Sequence, residues 1–294
     1  MKNLFRRRKL RSGRLVSSIY LLPSLAGVLM FFIIPFGQIL KYAIVDNPIA
    51  NNFVGLRNFV SVFNNTAFRR AAANTARFSM IAVPLAVVLG LMLAIMLESK
   101  IPGKSKFRTF FLSPMMVPVA SIVLIWQVLF DYNGALNGLL SNFGFTQIDW
   151  MKSDYSHIII IVLFLWKNLG YNMILFMAAL SNIPKALLEA AEVDGASAFR
   201  RFWQIKFRFL TPTILFVTIL SLINSFKVFR EVYLLTGDYP YENLYLLQHF
   251  MNNTFRSLDY QKQAAAAIIM ALVMAVIIGL MFIVEKLLGK DVEH

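Results

Sequence analysis

Long apolar runs separated by short charged segments set the pattern of this chain. Five runs carry no charge at all: Leu15 to Leu40, Phe78 to Leu97, Thr109 to Phe130, Phe209 to Phe226 and Gln263 to Val284. A sixth, Tyr155 to Pro184, carries only Lys167. A helix crosses the hydrocarbon core of a bilayer with roughly 20 apolar residues, so the pattern predicts six transmembrane helices. Pro23, Pro35, Pro84, Pro114, Pro118 and Pro212 fall within these runs. Membrane helices tolerate proline where neighbours or water re-satisfy the freed carbonyls, and near a span end it marks a boundary or kink. Arg6, Arg7, Arg8, Lys9, Arg11 and Arg14 precede the first run in the manner of a signal peptide. Its 26 uncharged residues, with no clear small-residue cleavage site after them, instead predict a retained helix.

Composition supports the membrane reading. Of 294 residues, 58% are hydrophobic and 15% charged, where a soluble domain carries about a quarter. The mean hydropathy is +0.64. The 27 Phe and 14 Met exceed what one compact core needs, which excludes a soluble domain. Cysteine is absent, which excludes disulfides, thiolate metal sites, Fe–S clusters and cysteine nucleophiles. The net charge of +14 is interleaved with apolar runs rather than gathered in a stripe, so it points to orientation in a membrane and not to nucleic acid.

Charge also orients the spans. Eighteen Lys and Arg fall on the side of the two termini and ten on the other, with Lys167 inside a span. This bias places both termini in the cytoplasm. The expected organisation is a basic cytoplasmic tail at 1–14 and one transmembrane domain over 15–294. Arg69 to Arg77 reads as an amphipathic lead-in to the second helix, at the membrane interface. No internal repeat, Gly/Ser linker or second, soluble domain is evident.

Catalytic chemistry is thin. Pro102-Gly103-Lys104-Ser105 has the tail of a phosphate-binding loop, but Glu98 stands where the earlier glycine is required and no strand precedes it. His157, His249 and His294 are not paired with other ligands at metal spacing. No Gly-x-Ser-x-Gly elbow occurs, and no Asp or Glu lies within the apolar runs to relay protons. No enzymatic activity, metal or cofactor is therefore expected. The chain should be a path whose motor is another subunit.

One cytoplasmic loop, 182–208, is unusually particular. It contains Pro184-Lys185-Ala186-Leu187-Leu188-Glu189-Ala190-Ala191-Glu192-Val193-Asp194-Gly195-Ala196. Pro184 suits the first turn of a helix, Ala, Leu and Glu are strong helix formers, and Gly195 suits the residue after the C-cap, where φ is positive. A second helical stretch should run from Ala196 into the fifth span.

Glu189-Ala190-Ala191, Asp194-Gly195-Ala196, Phe202, Ile205 and Pro212 together resemble the signature of the permease subunits of binding-protein-dependent ABC importers, in particular the MalF-like sugar permeases. Phe207-Arg208 departs from the Leu-Pro usual there. Leu21-Leu22-Pro23-Ser24, Ile34-Pro35, Gly55-Leu56-Arg57-Asn58-Phe59, Asn74-Thr75, Thr236-Gly237 and Pro240 extend the resemblance over nearly the whole chain. It implies an all-α polytopic membrane protein with the type I ABC importer permease fold, located in the bacterial cytoplasmic membrane. It also implies the partners: a second homologous permease subunit, two ATP-binding subunits and an extracellular solute-binding protein. In that family the loop forms a coupling helix seated on the ATPase, which makes Glu189, Ala190, Ala191, Asp194 and Gly195 the candidate coupling residues.

Polar residues inside spans are costly and face a partner or a cavity. The fourth span carries Lys167, Asn168 and Tyr171 on one helical face, and the fifth carries Ser221, Asn224, Ser225 and Val228 on another, with Lys227 just after Ser225 in sequence. Such residues suit sugar hydroxyls, and they equally suit hydrogen bonds between helices. The resemblance favours the first reading and makes these seven residues the candidate site for a sugar or oligosaccharide. The alternatives are the same machinery carrying a phosphodiester, polyamine or peptide, a gradient-driven carrier, and a membrane enzyme. A cation path would need acidic clusters, and a carrier would need inverted repeats and several ionisable groups within its spans. A membrane enzyme would need a His/carboxylate constellation.

Overall fold

The computed structural model describes residues 20–98 and 102–289. The basic tail 1–14, the beginning of the first run, Lys100 and Lys290 lie outside the described residues. The helices are α1 (Tyr20–Ile44), α2 (Arg57–Asn64), α3 (Thr66–Glu98), α4 (Lys104–Met116), α5 (Val119–Phe130), α6 (Ala135–Asn142), α7 (Ser156–Ser181), α8 (Lys185–Val193), α9 (Ala198–Arg201), α10 (Phe207–Lys227), α11 (Phe229–Thr236), α12 (Leu247–Arg256) and α13 (Tyr260–Gly289). The described residues hold no β-strand beyond one isolated bridge, Val45 with Phe53. Among the described residues, six helical stretches are long and apolar enough to cross a membrane: α1, α3, Val119–Asn142, α7, Ala198–Thr236 and Tyr260–Leu287.

Two predicted spans differ in extent. The third was expected to run unbroken from Thr109 to Phe130, but it breaks at Val117, whose ψ is 132°, and Pro118, whose ψ is 141°. Proline disfavours the helical region for the residue before it, so Val117 leaves the helix and a new one starts at Val119. The membrane-length stretch is therefore displaced to Val119–Asn142. The fifth was expected to end at Phe226, where charges begin. The helix instead continues through Val228 to Thr236. Glu231 therefore lies within a membrane-length helix, buried, and corrects the expectation that no carboxylate does.

Two compact units divide the chain, one comprising the residues up to Asn65 with Thr254–Leu272, the other Thr66–Asn253 with Val273 onward. In the first, the Asn58 amide donates to the carbonyls of Ala43 at 3.0 Å and Val45 at 2.8 Å, closing the open C-terminal end of α1. A wide turn at Leu29–Ile33 in α1 sits just before Pro35, whose missing N–H removes one rung of the helical ladder.

The second unit is organised by α3 against α7. Ala82, Ala86, Gly90 and Ala94 recur every fourth residue on the buried stripe of α3. Without a hydrophobic drive between helices in lipid, small residues allow the close approach that dispersion and polar contacts need. A Cβ at Gly90 would lie 2.8 Å from that of Asn172 on α7. Phe78, Phe164, Ile160 and Val232 fill one apolar cluster, and Met173, Phe176, Leu210 and Val217 another. Polar bonds cross the same seam: Asn172 donates to the Ala86 carbonyl at 3.2 Å and to Ser221 Oγ at 3.0 Å, and the Ser79 and Ser225 hydroxyls meet at 2.8 Å.

Each end of this unit is tied by its own contacts. At one, the Lys206 ammonium pairs with Glu98 at 2.6 Å, joining the end of α3 to the approach to α10. At the other, Asn74 donates to the carbonyls of Glu242 and Tyr245 at 2.7 and 3.1 Å, Thr75 Oγ1 accepts from the Leu247 N–H at 2.9 Å, and Arg70 pairs with Glu242 at 2.8 Å. Asn74 and Thr75 thus anchor the connection that follows α11.

Candidate functional site

A cavity of about 370 Å³ opens within the second unit, between α4, α7 and the α10–α11 helix. Lys167, Asn168 and Tyr171 line it from α7, with Leu163 and Phe164 below them. Asn224, Lys227, Val228 and Glu231 line it from the other side, with Arg230 beside them, and Met115 closes it from α4. Both walls follow from helical geometry: 164, 167, 168 and 171 form one i, i+3, i+4, i+7 stripe, and 224, 227, 228 and 231 form another.

The walls are bonded to each other. Asn224 Nδ2 donates to Asn168 Oδ1 at 3.0 Å, while Asn168 Nδ2 donates to the Phe164 carbonyl at 2.8 Å. The Lys167 ammonium pairs with Glu231 Oε1. The Glu231 side chain is only 4% exposed, and its second oxygen, Oε2, is buried without a partner. A carboxylate held this way needs its charge matched, and Lys167 supplies the match. Lys227 and Arg230 are exposed and pair with no carboxylate among the described residues.

Five of the seven residues expected from sequence line this cavity: Lys167, Asn168, Tyr171, Asn224 and Val228. Ser221 and Ser225 are 1% exposed and are turned into the helix seam, where they bond Asn172 and Ser79. Lys227, Arg230 and Glu231 were not among the expected site residues. The signal was present as charges at three- and four-residue steps beyond Asn224, but a span drawn between charged residues ends before them. Trp166 packs at a tilt on Trp126, with ring centroids 5.2 Å apart, against an apolar cluster.

The loop expected to couple forms α8. Its helix begins at Lys185 with Pro184 at the N-cap, one residue earlier than the first-turn position expected for the proline. Gly195 takes φ +78°. The Gly195 N–H donates to the Glu192 carbonyl at 3.0 Å and the Ala196 N–H to the Ala191 carbonyl at 2.9 Å, the paired bonds of a Schellman cap. No residue of α8 is buried, and Leu187 and Val193 are 45% and 88% exposed. Glu189, Ala190, Asp194 and Gly195 are exposed, with Ala191 half-buried. Glu192 pairs with Arg201 at 2.5 Å, bracing α8 against the next helix.

Among the described residues, six helical stretches long and apolar enough to cross a membrane, a polar, charged cavity within the second unit and an exposed, capped helix fit a multi-pass membrane protein. Residues 86–294 match the family described as the binding-protein-dependent transport system inner membrane component, and the chain belongs to that family. It is 28% identical over 282 residues, 94% of this chain and 95% of the relative, to the sn-glycerol-3-phosphate transport system permease protein UgpA of Yersinia pestis. It is 34% identical over 244 residues, 81% of this chain and 82% of the relative, to the trehalose/maltose transport system permease protein MalF of Thermococcus litoralis. Its fold matches a chain of a bacterial ABC transporter involved in the import of the acidic polysaccharide alginate, with a TM-score of 0.83 at 22% identity over 98% of this chain and 99% of that one. A bacterial alginate ABC transporter in complex with an alginate pentasaccharide-bound periplasmic protein matches with the same TM-score, 0.83, at 22% identity over 96% of this chain and 98% of that one.

Proposed function

We propose that this chain is one of two permease subunits of an importer that carries a sugar or oligosaccharide across the bacterial cytoplasmic membrane. Its partners are a second homologous permease, two ATP-binding subunits that hydrolyse ATP, and an extracellular solute-binding protein. The observation that carries the reading is the cavity between α7 and α10–α11, whose Asn168, Tyr171 and Asn224 offer directional hydrogen bonds between two membrane-length helices. Relatives of trehalose/maltose and glycerol-3-phosphate systems support the substrate class. The alginate transporter's complex with a periplasmic protein supports the binding-protein partner.

The exposed α8 would seat on the ATPase through Glu189, Ala190, Ala191, Asp194 and Gly195. A short helix rigidly capped and braced to the adjoining helix transmits a rigid-body shift rather than absorbing it. Docking of the loaded binding protein would open the cavity outward, and ATP hydrolysis would open it inward. Both termini would lie in the cytoplasm, on the side with the larger count of Lys and Arg.

The test is sugar uptake into vesicles reconstituted with both permeases, the ATPase and the binding protein. Uptake should require every subunit and ATP. Uptake by this chain alone on an ion gradient would establish a secondary carrier instead. Tags on the termini should react with impermeant reagents only from the cytoplasmic face.

A further inference from the structure

The cavity is built for more than a neutral sugar. Three cations line it, Lys167, Lys227 and Arg230, against one carboxylate, Glu231. Lys167 is committed to Glu231, which leaves the two remaining cations without a counter-charge among the described residues. Both are exposed on the cavity wall, where a bound anion would gain the attraction of two adjacent cations. Glu231 Oε2 adds the opposite requirement. It is buried and without a partner among the described residues, on a side chain that lines the same cavity, and the natural complement of a carboxylate oxygen is a hydroxyl donor. Asn168, Asn224 and Tyr171 add further polar groups on the same walls.

We infer that the transported solute is a polyhydroxylated anion, a sugar bearing a carboxylate or phosphate, whose acidic group lies on Lys227 and Arg230 and whose hydroxyl donates to Glu231 Oε2. This rests on the assignment of the cavity as the substrate path and specifies the charge of what passes. The Arg230 guanidinium suits either acid, because its fork matches the paired oxygens of carboxylate and phosphate alike. Lys167 holds the carboxylate in place and is not itself available to the anion.

The experiment uses the complete importer in vesicles and two pairs of probes differing in charge: trigalacturonate against its fully methyl-esterified form, and glucose 1-phosphate against methyl glucoside. At least one acidic member should be taken up faster than its neutral partner, with the preferred pair distinguishing carboxylate from phosphate. Lys227→Gln and Arg230→Gln should each lower acidic uptake about tenfold, the loss expected for one charge-assisted hydrogen bond, and the double variant should abolish the preference. Co-purification of the ATPase with each variant establishes that the complex is assembled. Preference for neutral members, equal uptake within both pairs, uptake of no acidic probe by a complex that hydrolyses ATP, or full acidic uptake by the assembled double variant would overturn the proposal. Uptake of maltotriose alone would overturn it while leaving sugar import intact. Uptake of spermidine and of none of the sugars would overturn both.

Discussion

Gly170 lies directly on the carbonyl of Phe111: a Cβ built on the glycine would fall 2.0 Å from that oxygen and 2.6 Å from its carbon. The obstacle is backbone, so it cannot rotate away. This contact brings α4 against α7 one helical turn from Lys167 and carries Met115 to the edge of the cavity. Gly170→Ala should force the helices apart and destabilise the detergent-solubilised subunit by about 1–3 kcal/mol, the usual cost of overpacking. Thermal unfolding measures it, and an unchanged midpoint would show that α4 is not fixed there.

Ser221 and Asn224 lie three residues apart, and the structure gives them opposite work. Ser221→Ala removes the acceptor of a buried bond from Asn172 and should cost about 1 kcal/mol of stability while leaving the uptake KM unchanged. Asn224→Ala and Tyr171→Ala should lower uptake with the complex still assembled. Transport kinetics beside a pull-down of the ATPase separates the two effects.

Glu231→Gln removes the charge that Lys167 matches and leaves a partly buried ammonium, 30% exposed, unpaired. Breaking a fully buried pair costs about 3–5 kcal/mol, and the exposure of Lys167 to the cavity reduces this to about 1–3 kcal/mol. The double variant Lys167→Met with Glu231→Gln should recover much of that stability without restoring uptake. Unfolding midpoints of the singles and the double form the cycle that reads the coupling.

At Gly195 the space around an added Cβ is empty, so nothing among the described residues resists a side chain there. What resists is the backbone, at φ +78°. Gly195→Ala should loosen the cap by about 1 kcal/mol. Gly195→Asp adds charge to the exposed end of α8 as well and should abolish binding-protein-stimulated ATP hydrolysis with expression preserved. Normal stimulation and uptake in this variant would make α8 a simple connector.

His249, in α12 outside the membrane-length helices, gives a pH dependence. Burial lowers its pKa from 6.5 to about 4. Its Nδ1 accepts from the Leu246 N–H at 3.1 Å, and the ring packs on Phe229 with centroids 4.7 Å apart. Between these two pH values the unfolded segment binds a proton that the folded one does not. Stability is therefore intact above about pH 6.5 and falls as the pH drops toward 4, by up to about 3 kcal/mol. His249→Gln, which keeps an acceptor but does not titrate, should flatten that slope in thermal unfolding between pH 7 and pH 4.5.

The apolar runs alone determine that this chain crosses a membrane about six times, because a backbone in lipid must satisfy its hydrogen bonds within a helix and each helix needs a long apolar surface. The Glu-Ala-Ala loop was legible for the same local reason: strong helix formers followed by Gly195 specify a capped helix whatever surrounds it. Pro118 was visible too, but whether a proline kinks a helix or ends it depends on what donates to the freed carbonyls. The cavity was half legible. Periodicity placed Lys167, Asn168, Tyr171 and Asn224 on faces, yet it cannot tell a face turned to a cavity from one turned to a neighbouring helix, and Ser221 and Ser225 proved to be the second kind. Charge misled at Lys227, Arg230 and Glu231, because a charged residue reads as the end of a span when nothing near it in sequence neutralises it. Lys167 and Glu231 are 64 residues apart, and only the packing of α7 against α11 lets one charge lie within the membrane by matching the other.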